Sequence, residues 1–324
     1  MNLRRSTFDT SKEKRFARAG KIGFMFVGIT MFLMAMNALL FLRSGDADSF
    51  SVSYAGVFTS GNTFEIANRQ SGGFFTDIDE TNWYLLRDRV EKRKNHCCPA
   101  VKQNIKRPNA WYQDNWEPDF TCMQERRVGR MGDGAKWVCD PHRIAEKKDK
   151  CLVYSVGSNG DFNFEETILK EVHQDCEIHT FDPSPRYASM APENVHYHSW
   201  GLGSATDQRA NYKSLNETVN ELGHQGRVID IFKIDCEGCE WKTYSEWFYP
   251  NVAENTILKQ ILVEVHNHPD EADSFFRSLQ RFGYVTFHKE PNIKFGGGQC
   301  VEYAFLKLEN SFFEGMNLTI DEYY

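Results

Sequence analysis

The sequence predicts an α/β fold in which a doubly wound parallel sheet ends in an antiparallel hairpin, preceded by a single transmembrane helix. From Cys151 onward, short β-rich runs alternate with segments of helical spacing. The last two β-rich runs, residues 284–288 and 300–307, have no helical segment between them. Near the start, residues 22–42, from Ile22 to Leu42, are 21 residues without a charge. That length is enough to cross a bilayer core of roughly 30 Å.

The flanks of the apolar segment predict how it sits in a membrane. A cleavable signal peptide would have an apolar core of about 7–15 residues and then small residues, whereas Phe41, Leu42 and Arg43 end this run. Residues 1–21 carry seven basic and two acidic side chains, which predicts a cytosolic tail and a translocated remainder. We therefore expect a single-pass type II membrane protein of the Golgi or endoplasmic reticulum, with its domain in the lumen.

Charge and cysteine content fit that compartment. The whole chain has a formal charge of −7 and the tail of +5, so the rest carries −12, the wrong sign for a nucleic-acid surface. Nine cysteines all follow the apolar segment, which predicts disulfides in a lumenal setting. Acceptor sequons at Asn216 and Asn317 predict a glycoprotein. The sequence predicts no oligomeric state.

Three regions follow the predicted anchor. Residues 43–95 form a predicted stalk with a helix over 79–94, and residues 96–150 form a cysteine-containing preface. Residues 151–324 form the α/β domain. Its predicted strands are 152–156, 177–181, 195–200, 228–234 and 260–265, followed by the hairpin. Its predicted helices are 165–172, 215–222, 241–248 and 270–282.

A glycine turn follows the first predicted strand of this domain. Gly157, Ser158, Asn159 and Gly160 lie at its carboxyl end, where ligands bind in parallel sheets and where glycine lets the backbone approach them closely. The turn leads into a helix whose start resembles a capping pair of Asn163 and Glu166.

An acid follows the second predicted strand. Asp182 comes 25 residues after Gly157, at a position where a carboxylate can accept hydrogen bonds from both hydroxyls of a ribose. The turn and this acid together favour a ribose-bearing ligand. The alternatives are a turn that only connects strand to helix and an Asp that only starts a turn.

Acids and imidazoles gather after the fourth and fifth predicted strands. Asp235 and Glu237 follow one strand, and Glu264 and His266 end the other. Their predicted roles are general base, substrate clamp or, for Asp235, Glu237 and His266, divalent-metal ligand. The alternative is a capping Glu237 and a hydrogen-bonded structural His266. Lys233, inside a strand, is predicted to be a paired structural residue.

At these residues the chain resembles the S-adenosyl-L-methionine (SAM)-dependent methyltransferases of the FkbM-like group, and especially the animal methyltransferase-like proteins with a type II anchor. The segments that carry the resemblance are VYSVGSNG at 153–160, TFDP at 180–183, FKIDCEGCE at 232–240 and GDGAKWVCDP at 132–141. The resemblance implies a class I, seven-stranded Rossmann-like sheet with a C-terminal antiparallel hairpin and implies SAM as cofactor.

The resemblance also implies roles for individual residues. Gly157, Ser158 and Gly160 would approach the methionine part of SAM, Asp182 would hold the ribose, and Asp235 would face the methyl-transfer pocket. The chain departs from the family at Ser155, where many methyltransferases carry an acid that pairs with the methionine ammonium. Asp161 is a candidate replacement for it.

Three functions are compatible with these observations. The leading one is a lumenal methyltransferase acting on an oxygen or nitrogen nucleophile, such as a sugar hydroxyl, with Glu264 or His266 as base and Asp235 as positioner or base. The alternatives are a non-catalytic binding module on the same scaffold and a Golgi glycosyltransferase. A small-molecule or glycan acceptor is the expected partner, and the need for a divalent metal is left open.

The cysteines leave several pairings open. Cys122 and Cys139 bracket a glycine-rich loop and form the favoured disulfide. Cys236 and Cys239 are predicted to pair with each other or with Cys300. Half of a zinc site is the competing interpretation of this CxxC segment, although neither a second CxxC nor a spaced His pair accompanies it.

Overall fold

The computed structural model describes residues 64–96, 111–113, 115–207, 209, 211–267, 269–294 and 299–316. They belong to one compact unit, Ser60–Tyr324. The predicted cytosolic tail, the anchor at residues 22–42 and the sequon at Asn317 lie outside the described residues. Within the ranges given above, no helix combines the length and apolar character that a membrane span requires.

The first described helices pack into the core of the domain through aromatic side chains. They are α1 (Glu65–Gln70) and α2 (Glu80–His96). Trp83 is fully buried, donates its indole N–H to Gln70 Oε1 at 2.7 Å, and has its ring 5.3 Å from that of Phe312. The helix predicted over 79–94 is therefore present. Residues 64–96 lie mostly within the predicted stalk. In the structure they are part of the domain, because their apolar side chains are buried in its core.

The preface forms a small hairpin that is fastened to the sheet. Its strands are β1 (Arg126–Val128) and β2 (Lys136–Val138), followed by helix α3 (Pro141–Ala145). Gln260, in the middle of the main sheet, accepts from the backbone N–H of Cys139 at 2.8 Å and donates to its carbonyl at 2.9 Å. This buried pair of hydrogen bonds holds the residue that follows β2 against the sheet.

The main sheet confirms the predicted α/β class. In chain order its strands are β3 (Leu152–Val156), β4 (Glu177–Phe181), β5 (Val195–His198), β8 (Val228–Ile234), β9 (Ile257–His266), β10 (Tyr284–Pro291) and β11 (Cys300–Lys307). Between β5 and β8 lies a two-stranded pair, β6 (Gly201–Leu202) and β7 (Tyr212–Lys213). The order across the main sheet is β10-β11-β9-β8-β3-β4-β5. All neighbours pair in parallel except β11, which is antiparallel to both β9 and β10.

Strand alternation divides the interior into two apolar layers. Val153, Ile178 and Ile231 belong to the layer on one face, while Leu152 and Phe232 belong to the other. The remaining helices are α4 (Asn163–Thr167), α5 (Leu215–Glu221), α6 (Cys239–Thr243), α7 (Pro269–Arg281) and α8 (Asn310–Phe313). Because helices cover both faces, the strands are buried nearly end to end.

The predicted capping pair before α4 is wrong. The residue that caps this helix is Phe162, which makes no side-chain cap bond, and Asn163 is already helical. The Asn163 side chain instead accepts a hydrogen bond from the backbone N–H of Arg130, so it joins the glycine-rich loop of the preface to the helix start. The helix continues as one π-helical turn over Ile168–Val172.

Three disulfides lie within the described residues. Cys122–Cys139 has the predicted pairing, and Cys236–Cys239 is one of the two alternatives. Cys151–Cys176 joins the starts of β3 and β4 and was not predicted. Within the described part of the chain, Cys300 is a free thiol.

Candidate functional site

The carboxyl ends of β3, β4, β8 and β9 meet around one cavity of about 910 Å³. Every predicted site residue lines this cavity except Gly160, the last residue of the turn after β3. The glycine-rich loop between β1 and β2, residues 129–135, forms another wall. The topology therefore brings the predicted residues together, as expected for the end of a parallel sheet at which strand order reverses.

The turn after β3 is packed too tightly for any side chain at its first glycine. Gly157 has φ +81°, and a Cβ there would lie 1.7 Å from the carbonyl oxygen of Asp235. Gly160 has φ +77°, and a Cβ there would lie 2.6 Å from the ring of Tyr187. Both glycines are thus required by positive φ and by close packing within the protein.

Asp182 ties this turn to the end of β4. Its Oδ2 accepts hydrogen bonds from the backbone N–H groups of Ser158 and Asn159, at 3.2 and 2.9 Å, and from the Ser158 hydroxyl at 3.3 Å. Among the described residues, its Oδ1 accepts only from the Ser184 N–H, at 3.0 Å. A carboxylate oxygen has two lone pairs, so Oδ1 retains one with which to accept from a ligand hydroxyl.

A cation reaches the turn from the neighbouring strand. Lys233 is buried, lies opposite Ser155 in the β3–β8 register, and donates from Nζ to the Gly157 carbonyl at 2.8 Å. It is therefore paired, as predicted, and it also lines the cavity. Ser155 is fully buried, while Asp161 lines the cavity and forms an ion pair with Arg130.

The preface supplies a buried lysine to the site. Lys136, from β2, is 1% exposed and places Nζ 2.6 Å from Glu302 Oε1, 3.0 Å from Asp235 Oδ2 and 3.7 Å from Glu264 Oε2. One cation thus lies among three carboxylates, one directly after β8 and the others in β9 and β11. The remaining Glu264 oxygen accepts from the Asn292 side chain at 2.9 Å.

These contacts divide the carboxylates by charge state. Burial raises the pKa of Asp235, but Lys136 and Lys233 outweigh it and hold that pKa well below its ordinary value. Burial and the neighbouring Asp235 raise the pKa of Glu264. Burial also raises the pKa of Glu302 to about 8 against the opposing effect of Lys136. Asp235 is therefore the firmly ionised member of the cluster.

His266 is oriented from behind by a buried glutamate. Glu240 Oε1 accepts from both the backbone N–H and the ring Nδ1 of His266, each at 3.0 Å, and Glu240 is fully buried. The other ring nitrogen, Nε2, lies 3.7 Å from the exposed Glu237 carboxylate beside the cavity. Burial lowers the pKa of His266, but Glu240, Glu264 and Asp235 raise it overall to about 9. His266 therefore carries a proton at neutral pH.

The proposed metal ligands lie close together. Ligand atoms of Asp235, Glu237 and His266 are all within 4.8 Å of one another, so this trio has the spacing for an ion, and the metal remains a prediction. The zinc interpretation of the CxxC segment is wrong for this structure because Cys236 and Cys239 share a disulfide and present no thiolates.

Sequence reasoning missed the groups that support the site. Lys136 appeared only inside the preface motif, and Glu240 and Glu302 were not singled out. For Lys136 the available signal was a charge in the segment KWV, and for Glu302 it was an acid between Val301 and Tyr303 in a predicted strand. Those signals indicate burial of a charge but not which charges meet.

Comparison with known proteins identifies relatives of this chain. The family described as "Methyltransferase domain" matches residues 65–307, which is more than half of the chain. Proteins named "Probable methyltransferase-like protein 24" from Homo sapiens and Rattus norvegicus are each 30% identical over 155 residues. Each alignment covers 44% of this chain and 40% of the relative, so the match spans less than half the length of either.

A solved structure is also similar at low level. It is titled "Methanococcus jannaschii fibrillarin pre-rRNA processing protein" and has 10% sequence identity and a TM-score of 0.31. The similarity covers 57% of this chain and 83% of that one. At that score the basis for the fold remains the strand order of the sheet itself.

Proposed function

Because this chain belongs to the methyltransferase-domain family that matches residues 65–307, we propose that it transfers a methyl group from SAM to an oxygen or nitrogen nucleophile. One observation carries the proposal. The glycine turn after β3, Asp182 after β4 and Asp235 after β8 surround a single cavity at the carboxyl ends of the strands. A sugar hydroxyl is the acceptor class that we would test first.

The groups that line the cavity fit SAM by their chemistry. Asp182 offers a free lone pair on Oδ1 for a ribose hydroxyl, and Lys233 offers a cation at the turn for a carboxylate. Phe181, Leu202 and Tyr187 add apolar surface at the Asp182 end, suited to a purine ring. When bound, SAM supplies a methyl group on a positively charged sulfur, which is open to attack by a nucleophile.

The charge states favour Glu264 over His266 as the base. An effective base has a pKa near the working pH. The pKa of Glu264 is raised toward that range, whereas His266 already holds a proton and Asp235 is a weak base. In this scheme Glu264 removes a proton from the acceptor, Asp235 orients it, and protonated His266 donates a hydrogen bond. The alignment of acceptor and methyl donor would supply much of the rate enhancement.

The cellular setting is part of the proposal. We propose a type II membrane glycoprotein, anchored through residues 22–42, whose domain lies in the lumen of the Golgi or endoplasmic reticulum. Disulfides persist in oxidising compartments, and the three described here support that setting. The proposed partners are the membrane and a small-molecule or glycan acceptor, without nucleic acid.

Calorimetry with SAM and S-adenosylhomocysteine tests the proposal directly. The full chain would be purified in detergent with its disulfides intact and compared with Asp182→Asn. Loss of a charged hydrogen bond is worth about 1.5–3 kcal/mol, so binding should weaken by about 10- to 100-fold. Asp88→Asn, on the exposed face of α2, is the matched control and should bind like the wild type. Failure of the folded wild type to bind either compound would overturn the proposal.

The identity of the base has its own test. With an acceptor in hand, Glu264→Gln should abolish turnover while leaving SAM binding within a few-fold of the wild type. His266→Gln should keep a measurable rate, and its rate should rise with pH in parallel with that of the wild type. Loss of the wild-type pH dependence in His266→Gln would instead assign the base to His266.

A non-catalytic binding module is the second candidate, and Lys233 is the observation that favours it. A cation at the Gly157 carbonyl, opposite a neutral Ser155, leaves the methionine ammonium without the acid that many methyltransferases provide. This candidate predicts binding of S-adenosylhomocysteine, which lacks the transferable methyl group, without methyl transfer to any acceptor. Transfer of radiolabelled methyl from SAM to a glycan or protein fraction would exclude it.

A further inference from the structure

A second cluster of ionisable side chains lies apart from the cavity. It begins at the amino end of β4 with Glu177 and His179, which share one face because strand side chains alternate. His224, from the segment between α5 and β8, completes it. None of these three residues lines the cavity described above, and methyl transfer gives none of them a role.

Three potential ligand atoms converge in this cluster. Glu177 Oε1 lies 3.1 Å from His179 Nε2 and 3.0 Å from His224 Nε2, and all three atoms are within 4.8 Å of one another. Atoms that bind one ion tetrahedrally at about 2.0–2.2 Å are separated by roughly 3.3–3.6 Å. The spacing from Glu177 to each imidazole is a few tenths of an ångström shorter than that, so a small outward movement of the side chains would admit a single metal ion.

The atoms that would not bind the metal are already held. The other ring nitrogen of His179 lies 2.9 Å from His198 Nε2, and that of His224 lies 2.7 Å from the Tyr154 hydroxyl. Arg227 donates to Glu177 Oε2 at 2.9 Å, which leaves Oε1 for the ion. Metal-binding imidazoles characteristically have such a partner on the second nitrogen, because it fixes the ring orientation and the tautomer.

We propose that Glu177, His179 and His224 form a binding site for a divalent transition-metal ion, with zinc as the expected occupant. Two imidazoles and one carboxylate suit zinc, and such three-ligand sites complete their coordination with water. His179 and His224 are buried, whereas the Glu177 side chain is 27% exposed and gives solvent access. The ion would join β4 to the segment that precedes β8.

The proton balance of binding is simple. Each imidazole must present an unprotonated Nε2, so its one proton must lie on Nδ1. His198 Nε2 and the Tyr154 oxygen are in place to accept from those two Nδ1–H groups. With the proton on Nδ1, each neutral ring can bind the ion through Nε2 without releasing a proton to solvent.

Zinc uptake by the full chain tests the proposal. The protein, purified in detergent, would be stripped with a chelator, dialysed and titrated with zinc at pH 7, with bound metal measured directly. Cobalt would serve as a spectroscopic probe, because imidazole ligation gives visible absorption bands. Glu177→Gln and His224→Gln remove ligands. His196→Gln is the matched control, because His196 is exposed and stacks on His179 but is not one of the three proposed ligands.

The expected result is that the wild type and His196→Gln each bind one zinc per chain more than the two ligand variants do at the same free zinc concentration, with at least a tenfold weaker affinity at this site in both ligand variants. The melting temperature should rise with zinc only in the proteins that bind it. Glu177→Gln keeps the side-chain shape, so it decides the matter if His224→Gln fails to fold. Equal zinc binding by Glu177→Gln and the wild type, or no zinc binding by the wild type, would overturn the proposal.

Discussion

Lys136→Met replaces the buried cation of the site with a side chain of similar length. Nζ lies 2.6, 3.0 and 3.7 Å from Glu302, Asp235 and Glu264, so the change leaves the buried Glu302 and Glu264 and the partly exposed Asp235 without their shared positive partner. Breaking a buried ion pair by removal of one partner costs about 3–5 kcal/mol. We expect a loss of folding free energy in that range at pH 8.

The loss should become smaller as the pH falls. Without Lys136, Asp235 has a higher pKa in the folded protein. Between pH 5 and pH 8 the folded variant therefore holds more protons than the folded wild type. Stability then decreases with rising pH faster in the variant, by about 1.4 kcal/mol per pH unit for each extra proton. The destabilisation by Lys136→Met should therefore be greater at pH 8 than at pH 5.

Guanidinium unfolding of the full chain in detergent, followed by tryptophan fluorescence at the two pH values, measures both quantities. Lys92→Met is the matched control, since Lys92 pairs with Asp88 at the surface and such pairs contribute about 0–1 kcal/mol. A cost for Lys136→Met below about 1 kcal/mol, or an equal cost at pH 5 and pH 8, would refute the electrostatic account of this cluster.

Three further predictions concern backbone packing, a disulfide and a histidine. Gly157→Ala should abolish SAM binding and lower the melting temperature, because its Cβ would lie 1.7 Å from the Asp235 carbonyl oxygen; a normal melting temperature and normal binding would contradict this. Replacing Cys151 and Cys176 together by alanine should cost about 3 kcal/mol in denaturant unfolding, from the loop that their bond closes, and a loss under 1 kcal/mol would count against it. The pKa of His266 is raised to about 9, so its contribution to stability is complete below about pH 6.5 and is lost as the pH rises through 9. His266→Gln should remove that part of the pH dependence, and identical pH–stability curves for the two proteins would refute the assignment.

The location of the site could be predicted from local sequence because strand ends determine it. Gly157, Asp182 and Asp235 each follow an apolar run, and the carboxyl ends of parallel strands share one edge. The parallel pairing and the final hairpin also follow from the presence or absence of helical spacing between strands. The predicted anchor stays a prediction, because residues 22–42 lie outside the described residues.

The interactions across long sequence separations could not be predicted. Lys136 meets Asp235 and Glu302 across separations of 99 and 166 residues, and no periodicity relates such positions. The predicted cap at Asn163 was wrong for a related reason. Its side chain bonds a residue 33 positions earlier, so a tertiary contact replaced the local one that the motif suggested.

The Cys151–Cys176 bond shows the same difficulty. The number of cysteines predicts disulfides, but counting cysteines does not determine which of them pair. The pairing depends on β3 and β4 lying side by side, with Leu152 opposite Glu177. That adjacency is a property of the sheet order and becomes visible only once the fold is known.

The attachment of the preface hairpin determines what a working fragment must contain. A fragment starting at residue 151 would hold the whole seven-stranded sheet and yet lack Lys136, the cation between Asp235, Glu264 and Glu302. It would also leave Gln260 without its two hydrogen bonds to Cys139. A working protein must therefore contain both the hairpin and the sheet. A recombination event or an expression plasmid that divides them would yield a protein with its acids in place and their counter-charge missing.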